Sequence, residues 1–264
     1  MKRCIVSADD FALNGAVDDA ILALIDAGAL TATSCLTRSP RWPAAARRLR
    51  SVAHGRADVG VHLDLTEFDR AAPNHAALVL ACATRGIDAR RLHALLKTQF
   101  ERFEEAYGGA PDYVDGHRHV HQLPVVRDVL VGLLAERYGQ QLPWVRVSRA
   151  GAGTGWKAGL IGALGSAGLV ARCLAAGVPH SRRLHGIYDF NGDGSSYQAR
   201  LASWLGAAGD GDALMCHPAL RAEPGDPIGA AREIEFAALS SAGWTDCLVA
   251  HGVEASRGSR CLRA

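Results

Sequence analysis

The sequence has little of what marks several large classes of protein. Its 264 residues carry a formal net charge of +2, and 21% of them are charged, so neither sign is in large excess. Proteins that bind nucleic acid or acidic partners through charge need a basic surface, which this balance does not predict. No GxGxxG or GxxxxGK[ST] motif follows the first predicted strand. This absence argues against a nucleotide-binding fold.

Long apolar runs and paired cysteines are missing as well. The longest uncharged apolar stretch spans residues 158–171. It is too short to cross a bilayer, so we interpret it as part of a buried helix. We expect no signal peptide, because a strand-like segment starts almost at once. The seven cysteines are scattered, odd in number and without a CxxC pair, which is typical of reduced thiols in a cytoplasmic protein. The composition leaves the oligomeric state open, a homodimer included.

Strand-like and helix-like segments alternate about seven times along the chain. The alternation predicts parallel strands with helical crossovers, in a single α/β domain covering residues 1–264. A distorted TIM-type (β/α) barrel of about seven strands is favoured over an open doubly wound sheet. The predicted strands are residues 4–7, 31–37, 58–63, 113–115, 144–147, 184–187, 213–218 and 247–251. The predicted helices are residues 14–28, 43–52, 91–107, 125–138, 156–176, 197–205 and 230–241.

Carboxylates and imidazoles recur where predicted strands end. The candidates are Asp10, His62, His117 and His217. In a (β/α) barrel these ends meet at the face that carries the active site. A carboxylate and two neutral imidazoles suit one divalent ion: zinc, cobalt, nickel, manganese or iron, with magnesium preferring more oxygen. If the backbone turns at Asp10, the adjacent Asp9 is within reach of water activated by such an ion. This division of roles suits hydrolysis.

Three histidines stand at alternate positions in residues 114–121. If this segment is extended, His117, His119 and His121 point to one face. Packing alone gives no reason for such a row, because the rings repel one another when protonated. We expect one of them to bind the metal and the others to orient it or contact substrate, and the spacing does not choose among them. Asp115 is placed to accept a hydrogen bond from an imidazole N–H.

The remaining titratable residues near these segments are given structural roles. Asp64, on the same strand as His62, is expected to be solvated. Isolated histidines are usually hydrogen-bonded surface or core groups, and we interpret five of them in this way: His54, His75, His93, His180 and His251.

Four segments together resemble the YdjC-type (ChbG/HpnK) carbohydrate deacetylase family. They are residues 7–11 (SADDF), 60–66 (GVHLDLT), 114–121 (VDGHRHVH) and 215–218 (MCHP), in the family's order. The resemblance implies a metal-dependent deacetylase with a barrel-like fold. It would remove an N-acetyl group from an amino sugar, a glycan-derived molecule or a glycolipid precursor. It would use one divalent ion, with zinc the first choice and magnesium, cobalt, nickel or manganese as alternatives.

The resemblance also assigns roles to residues at the matching positions. Asp10, His62 and His117 would bind the metal. Asp9 would be the general base, and His217 the general acid that protonates the departing amine. Arg146, Asp115, His119 and His121 would contact substrate or support these groups. Two departures from the family pattern concern the pocket: Ala12 replaces the usual glycine, and the segment after Thr66 is short and lacks a proline-rich stretch.

Two other functions are compatible with parts of this pattern. Metal-dependent phosphoesterases and cyclic amidohydrolases also carry HxH pairs on barrel strands, although their multinuclear sites usually need more carboxylates and often a lysine. A sugar-binding barrel without turnover is the alternative outside the enzymes. The number of metal ions per chain would distinguish a phosphoesterase or amidohydrolase from a deacetylase. Release of acetate would distinguish a deacetylase from a sugar-binding barrel without turnover.

Overall fold

The computed structural model describes residues 1–68, 74–150 and 165–262, and in these ranges strands and helices alternate. The strands are β1 (Lys2–Phe11), β2 (Ala32–Cys35), β3 (Asp58–Leu63), β4 (Tyr113–Gly116), β5 (Trp144–Val145), β6 (Leu184–His185), β7 (Asp212–Cys216) and β8 (Val253–Ala255). The helices are α1 (Gly15–Asp26), α2 (Trp42–Ala53), α3 (His75–Ala83), α4 (Ala89–Tyr107), α5 (Val126–Tyr138), α6 (Ser166–Ala175), α7 (Gly194–Ala207), α8 (Gly229–Leu239), α9 (Ala242–Ala250) and α10 (Gly258–Cys261). A 3₁₀ turn, His117–Gln122, follows β4.

The strands form one parallel sheet in the order β5-β4-β3-β2-β1-β7-β6, with β8 pairing the start of β1. The sheet curls until its two outer strands meet through isolated bridges, which join Val145 to His180 and Ala150 to Leu184. The result is a distorted (β/α) barrel, which confirms the predicted fold. Parallel strands place their carboxyl ends at one face of such a barrel.

Alternating side chains of the strands fill the inside of the barrel. The inward columns are Ile5, Ser7 and Asp9 along β1, Tyr113, Asp115 and His117 from β4, and Ala213, Met215 and His217 from β7. Tyr113 stacks on Trp144 with ring centroids 4.3 Å apart, within an apolar cluster that includes Ile5 and Ala213. Gly60 lacks a side chain because a Cβ there would lie 2.6 Å from the Tyr113 ring. Each column therefore becomes polar toward the carboxyl end of its strand.

The helices pack on the outside of the strands through apolar stripes. On α1, Asn14 caps the first turn by accepting from Val17 N, and Gly28 follows the helix with a φ of 75°. Trp42 on α2 stacks on Phe103 of α4, with centroids 5.4 Å apart. Within the described residues, no helix has both the length and the apolar character needed to cross a membrane.

The prediction of a last strand at residues 247–251 is wrong. This segment belongs to α9 and the turn after it, and the final strand is β8. A short apolar run does not distinguish a helix from a buried strand, and here Val249 is 66% exposed while Trp244 packs inward. The predicted helix at 156–176 is described only from Gly165 onward, where α6 occupies Ser166–Ala175, and its earlier residues lie outside the described ranges.

Three predicted strands are at least two residues shorter than expected, and one of them is β2, which covers Ala32–Cys35 of the predicted 31–37. Strand β5 ends at Val145 and β6 at His185. Gly186 has a φ of 89°, and a Cβ at this position would lie 2.1 Å from the Met215 carbonyl oxygen. Only glycine fits this close approach of β6 to β7 without displacing the backbone.

Candidate active site

The end of β1 brings two adjacent aspartates to the same place. Asp9 continues the inward column of β1, so a regular strand would turn Asp10 outward. The pairing of β1 with β2 is irregular between Ala8 and Phe11, and Asp10 has a φ of 66°. This left-handed backbone turns the Asp10 side chain back toward His117. Ala12 also has a positive φ, 75°, which explains why glycine suits its position.

His62, on β3, is held by an aspartate on the neighbouring strand. His62 is paired with Asp115 in the strand register, and its Nδ1 lies 2.6 Å from Asp115 Oδ1. Ser34 on β2 donates to Asp115 Oδ2 at 3.1 Å. With Nδ1 occupied, His62 presents Nε2 to Asp10 Oδ1, 3.4 Å away. A carboxylate behind a histidine in this way fixes its tautomer and orientation.

The histidine row is not an extended strand, contrary to our expectation. The strand ends at Gly116, and Arg118 and His119 take positive φ values of 52° and 60° inside the 3₁₀ turn. His117 still follows the inward column of β4, but the turn sends the next two rings elsewhere. His119 Nδ1 lies 2.8 Å from Ser148 Oγ, and His121 Nε2 donates to the Arg146 carbonyl at 2.9 Å. Only His117 of the three meets Asp10.

Asp10, His62 and His117 form a donor set that fits a divalent metal ion. Asp10 Oδ1 lies 3.0 Å from His117 Nδ1, and one ligand atom from each of the three residues falls within 4.8 Å of the others. Burial alone would lower the pKa of both rings, but the carboxylates around them raise the pKa of His62 to about 10 and that of His117 to about 9. A field that retains protons so strongly also favours a bound cation.

Asp9 lies beside this set and is held through one oxygen. Arg146, fully buried on the segment after β5, places Nη2 2.7 Å from Asp9 Oδ2 and 2.7 Å from Asp115 Oδ2. The other oxygen, Asp9 Oδ1, is buried and has no hydrogen-bond partner. A carboxylate oriented through one oxygen and unpaired at the other is suited to accept a proton.

His217 closes the opposite side of the site, directly after β7. Its Nε2 lies 3.8 Å from Asp9 Oδ2, and its Nδ1 is buried without a partner. The ring of Phe190, whose φ is 62°, meets the His217 ring edge-on with centroids 5.3 Å apart. Burial lowers the pKa of His217 to about 4, so the ring is neutral at neutral pH when no substrate is bound.

These groups open into a cavity of about 1120 Å³ at the carboxyl ends of the strands. Its polar wall holds Asp9, Asp10 and the three site histidines, and its other walls include Leu13, Val79, Ile187, Tyr188, Phe190 and Ile228. His75, which we interpreted as a structural histidine, also lines it. The volume and the mixture of apolar walls with a few convergent polar groups are typical of a small-molecule site.

The match to known families agrees with this geometry. The model of the YdjC-like protein family matches residues 3–250. The chain belongs to the YdjC-like family. A carbohydrate deacetylase of Geobacillus stearothermophilus is 31% identical to it over 234 residues, which is 83% of this chain and 80% of the relative. A chitooligosaccharide deacetylase of Yersinia pestis is 29% identical over 147 residues, or 52% and 57% of the two chains.

Solved structures support the fold of this YdjC-like protein. The crystal structure of an Enterococcus faecalis protein, named for cellobiose-phosphate cleavage, superposes with a TM-score of 0.72 at 22% identity, covering 97% of each chain. The Xyl-CE4 domain of a xylanase from a Trinervitermes trinervoides hindgut metagenome gives a TM-score of 0.52 at 9% identity, covering 97% of this chain and 87% of the domain. At these identities the likeness concerns the barrel alone.

Asp64 of the YdjC-like chain is not solvated as we expected. It is fully buried, its Oδ1 accepts from the backbone N–H groups of Thr66 and Glu67, and its Oδ2 accepts from that of Phe68. Asp64 therefore shapes the loop that places Glu67 Oε2 3.6 Å from His117 Nε2. A side chain that caps a loop in this way replaces hydration with backbone hydrogen bonds.

Two buried charged residues of the site were missed in the sequence, and both lie on α8. Arg232 places Nη2 2.7 Å from Asp10 Oδ2. Glu235, one turn later on the same face, accepts from the Tyr188 hydroxyl at 2.7 Å and from the backbone N–H of His217. The i, i+3 spacing of these residues was the available signal. Such pairs usually lie on a solvated helix face, so no feature of the sequence indicated that these two residues are buried.

Replacing Glu235 with glutamine should change how stability depends on pH. Burial raises the pKa of Glu235 from its ordinary 4.5 to about 7, so the folded protein holds this proton more tightly than the unfolded chain. Stability from this group is therefore present below about pH 4.5 and lost as the pH rises to about 7, by roughly 3 kcal/mol. In Glu235→Gln this loss should be absent, so the free energy of unfolding of the variant should increase relative to that of the wild type as the pH rises.

Chemical denaturation of both proteins across this pH range, with metal removed by a chelator, measures the difference. Glu233→Gln on the exposed side of α8 is the matched control and should follow the wild type. A constant difference between Glu235→Gln and wild type at all pH values would contradict the raised pKa.

Proposed function

We propose that this YdjC-like protein is a metal-dependent hydrolase that removes an N-acetyl group from an amino sugar or glycan-derived substrate. One observation carries the proposal: a single cavity brings together Asp10, His62 and His117 with Asp9, whose Oδ2 is bound by Arg146 while its Oδ1 has no partner. The names of the curated relatives, carbohydrate and chitooligosaccharide deacetylase, support the same chemistry.

The residues divide the work of amide hydrolysis among them. A divalent ion held by Asp10, His62 and His117 would polarise the acetyl carbonyl and lower the pKa of water. Asp9, oriented by Arg146, accepts the proton of the attacking water at its unpaired Oδ1. His217 donates a proton to the nitrogen of the departing amine. Because His217 starts neutral, it must first receive that proton, and the Asp9 carboxyl group, which has taken it from water at Oδ1, lies beside the ring, with Oδ2 3.8 Å from His217 Nε2.

The supporting residues keep these groups in place. Asp115 orients His62, and His121 fixes the backbone of Arg146 through its carbonyl. His119 lines the cavity and is positioned to contact substrate. The alternative phosphoesterase or amidohydrolase sites often use a lysine, and no lysine lines this cavity among the residues that the structure describes.

Acetate release from a panel of N-acetylated sugars and glycolipid precursors, with several divalent metals, tests the activity. His117→Ala should lower the metal content of the purified protein and abolish turnover, whereas His93→Ala, which pairs with Glu136 on the surface, should keep both. Elemental analysis should give one ion per wild-type chain. Undiminished metal in His117→Ala would remove this histidine from the ligands, and two ions per chain would favour the multinuclear alternatives.

A further inference from the structure

Arg232 reaches the site from outside the barrel and is held at three of its nitrogen atoms. It is 3% exposed. Its Nε lies 2.7 Å from Asp226 Oδ2, its Nη1 3.4 Å from the His217 carbonyl oxygen, and its Nη2 2.7 Å from Asp10 Oδ2. The guanidinium is a rigid planar fork, so partners at each nitrogen fix both its position and its orientation.

The two oxygens of Asp10 consequently have different surroundings. Oδ1 faces the imidazoles, 3.0 Å from His117 Nδ1 and 3.4 Å from His62 Nε2. Oδ2 faces away from them and is engaged by Arg232. A charge-assisted hydrogen bond of this length is strong, and breaking it would remove one of the two carboxylate partners of a buried guanidinium. A metal ion that bound both oxygens would have to compete with this bond, so the arrangement favours binding through Oδ1 alone.

We propose that Arg232, itself held by Asp226, is a positioning residue that keeps Asp10 a single-oxygen metal ligand; this inference rests on the metal site proposed above. A carboxylate that binds through both oxygens takes two positions on an ion, whereas one that binds through a single oxygen leaves a position for water or substrate. The positive charge of Arg232 also repels the metal ion. The arginine therefore lowers metal affinity while it leaves a coordination position of the ion open to water or substrate.

The same contacts couple the metal ligand to the wall of the cavity. Asp226 belongs to the loop of residues 223–228, and this whole loop lines the cavity. The Arg232 contact to the His217 carbonyl extends the connection to the proposed general acid. One side chain on α8 thus links the ligand, the acid and the substrate-facing loop.

Cobalt(II) is the probe for this role, because its visible absorption weakens as its coordination number rises. In Arg232→Met the freed Oδ2 and the lost positive charge should both favour the ion. We expect cobalt affinity, measured by competition with a chelating dye, to rise roughly tenfold or more, with a weaker visible band and a lower kcat. Asp226→Asn leaves Arg232 with Asp10 as its one carboxylate partner and removes a negative charge, so cobalt affinity should fall below wild type while the visible band keeps its intensity.

Arg137→Met is the matched control, since it removes an arginine that pairs with Glu104 away from the site. It should leave the cobalt spectrum and affinity unchanged. A merely structural Arg232 would give weaker cobalt binding in Arg232→Met, as in any loosened site, and that result or a wild-type spectrum would overturn the inference. If Arg232→Met does not fold, Asp226→Asn decides through the sign of its effect: cobalt affinity equal to or above wild type, or a weaker visible band, would overturn the inference. A wild-type protein that takes up no cobalt would instead contradict the metal site itself.

Discussion

Asp9→Asn should retain its metal and lose between about a hundredfold and ten-thousandfold in kcat. This is the range that general acid–base groups contribute. The asparagine has nearly the same shape, and its side-chain oxygen can still accept from Arg146, which now lies 2.7 Å from Asp9 Oδ2. What it lacks is an oxygen that can hold a proton. KM should change little, because the substitution removes chemistry and leaves the cavity walls in place.

Asp212→Asn is the control that separates base loss from the loss of any buried carboxylate. Asp212 is 2% exposed and pairs with His185 at the start of β7, at the opposite end of the strand from the site. Its variant should keep kcat within a few-fold of wild type. Acetate release and metal content measured on both variants complete the test. Wild-type turnover in Asp9→Asn would show that another group accepts the proton.

The position of the site could be predicted because it depends on topology and on the two-residue period of strands. Alternation of strands and helices implies parallel strands, and parallel strands in a barrel bring their carboxyl ends together. The topology alone therefore predicts that residues as distant in sequence as Asp10, His62 and His217 lie close together. The same period explains why His117 points inward after Asp115, whatever the chain does next.

The local backbone could not be predicted in the same way. Asp10, Arg118 and His119 adopt positive φ values, which are uncommon for residues other than glycine and follow from tertiary contacts. At Asp10 this conformation brings both aspartates into the site. In the turn after His117 it breaks the row of histidines that their spacing suggested.

The two site residues on α8 could not be identified from the sequence for a different reason. Arg232 and Glu235 stand in a segment with ordinary helical spacing and no motif. Their burial depends on how α8 sits over the ends of β1 and β7, and that placement comes from the fold as a whole. Charged residues are rarely buried without partners, so a sequence alone favours the exposed interpretation.

Arg146→Met should destabilise the protein by about 3 to 5 kcal/mol at neutral pH, the usual effect of removing one partner from a buried ion pair. Arg146 is fully buried and a single nitrogen, Nη2, contacts both Asp9 and Asp115. Methionine fills a similar volume, so the effect comes mainly from two carboxylates left without their cation. By comparison, Arg137→Met removes a partly exposed pair and should cost about 1 kcal/mol or less.

The pH dependence of the same variant distinguishes electrostatics from packing. Burial would raise the pKa of Asp115, but Arg146 and His62 outweigh it and hold the pKa well below its usual range. In the wild type this group therefore contributes stability above its unfolded pKa and loses it as the pH falls. Without Arg146 the pKa of Asp115 should rise, so the stability difference between the two proteins should shrink at acidic pH. Denaturation with metal removed measures this difference, and a gap that does not change with pH would indicate a packing defect instead of unpaired charge.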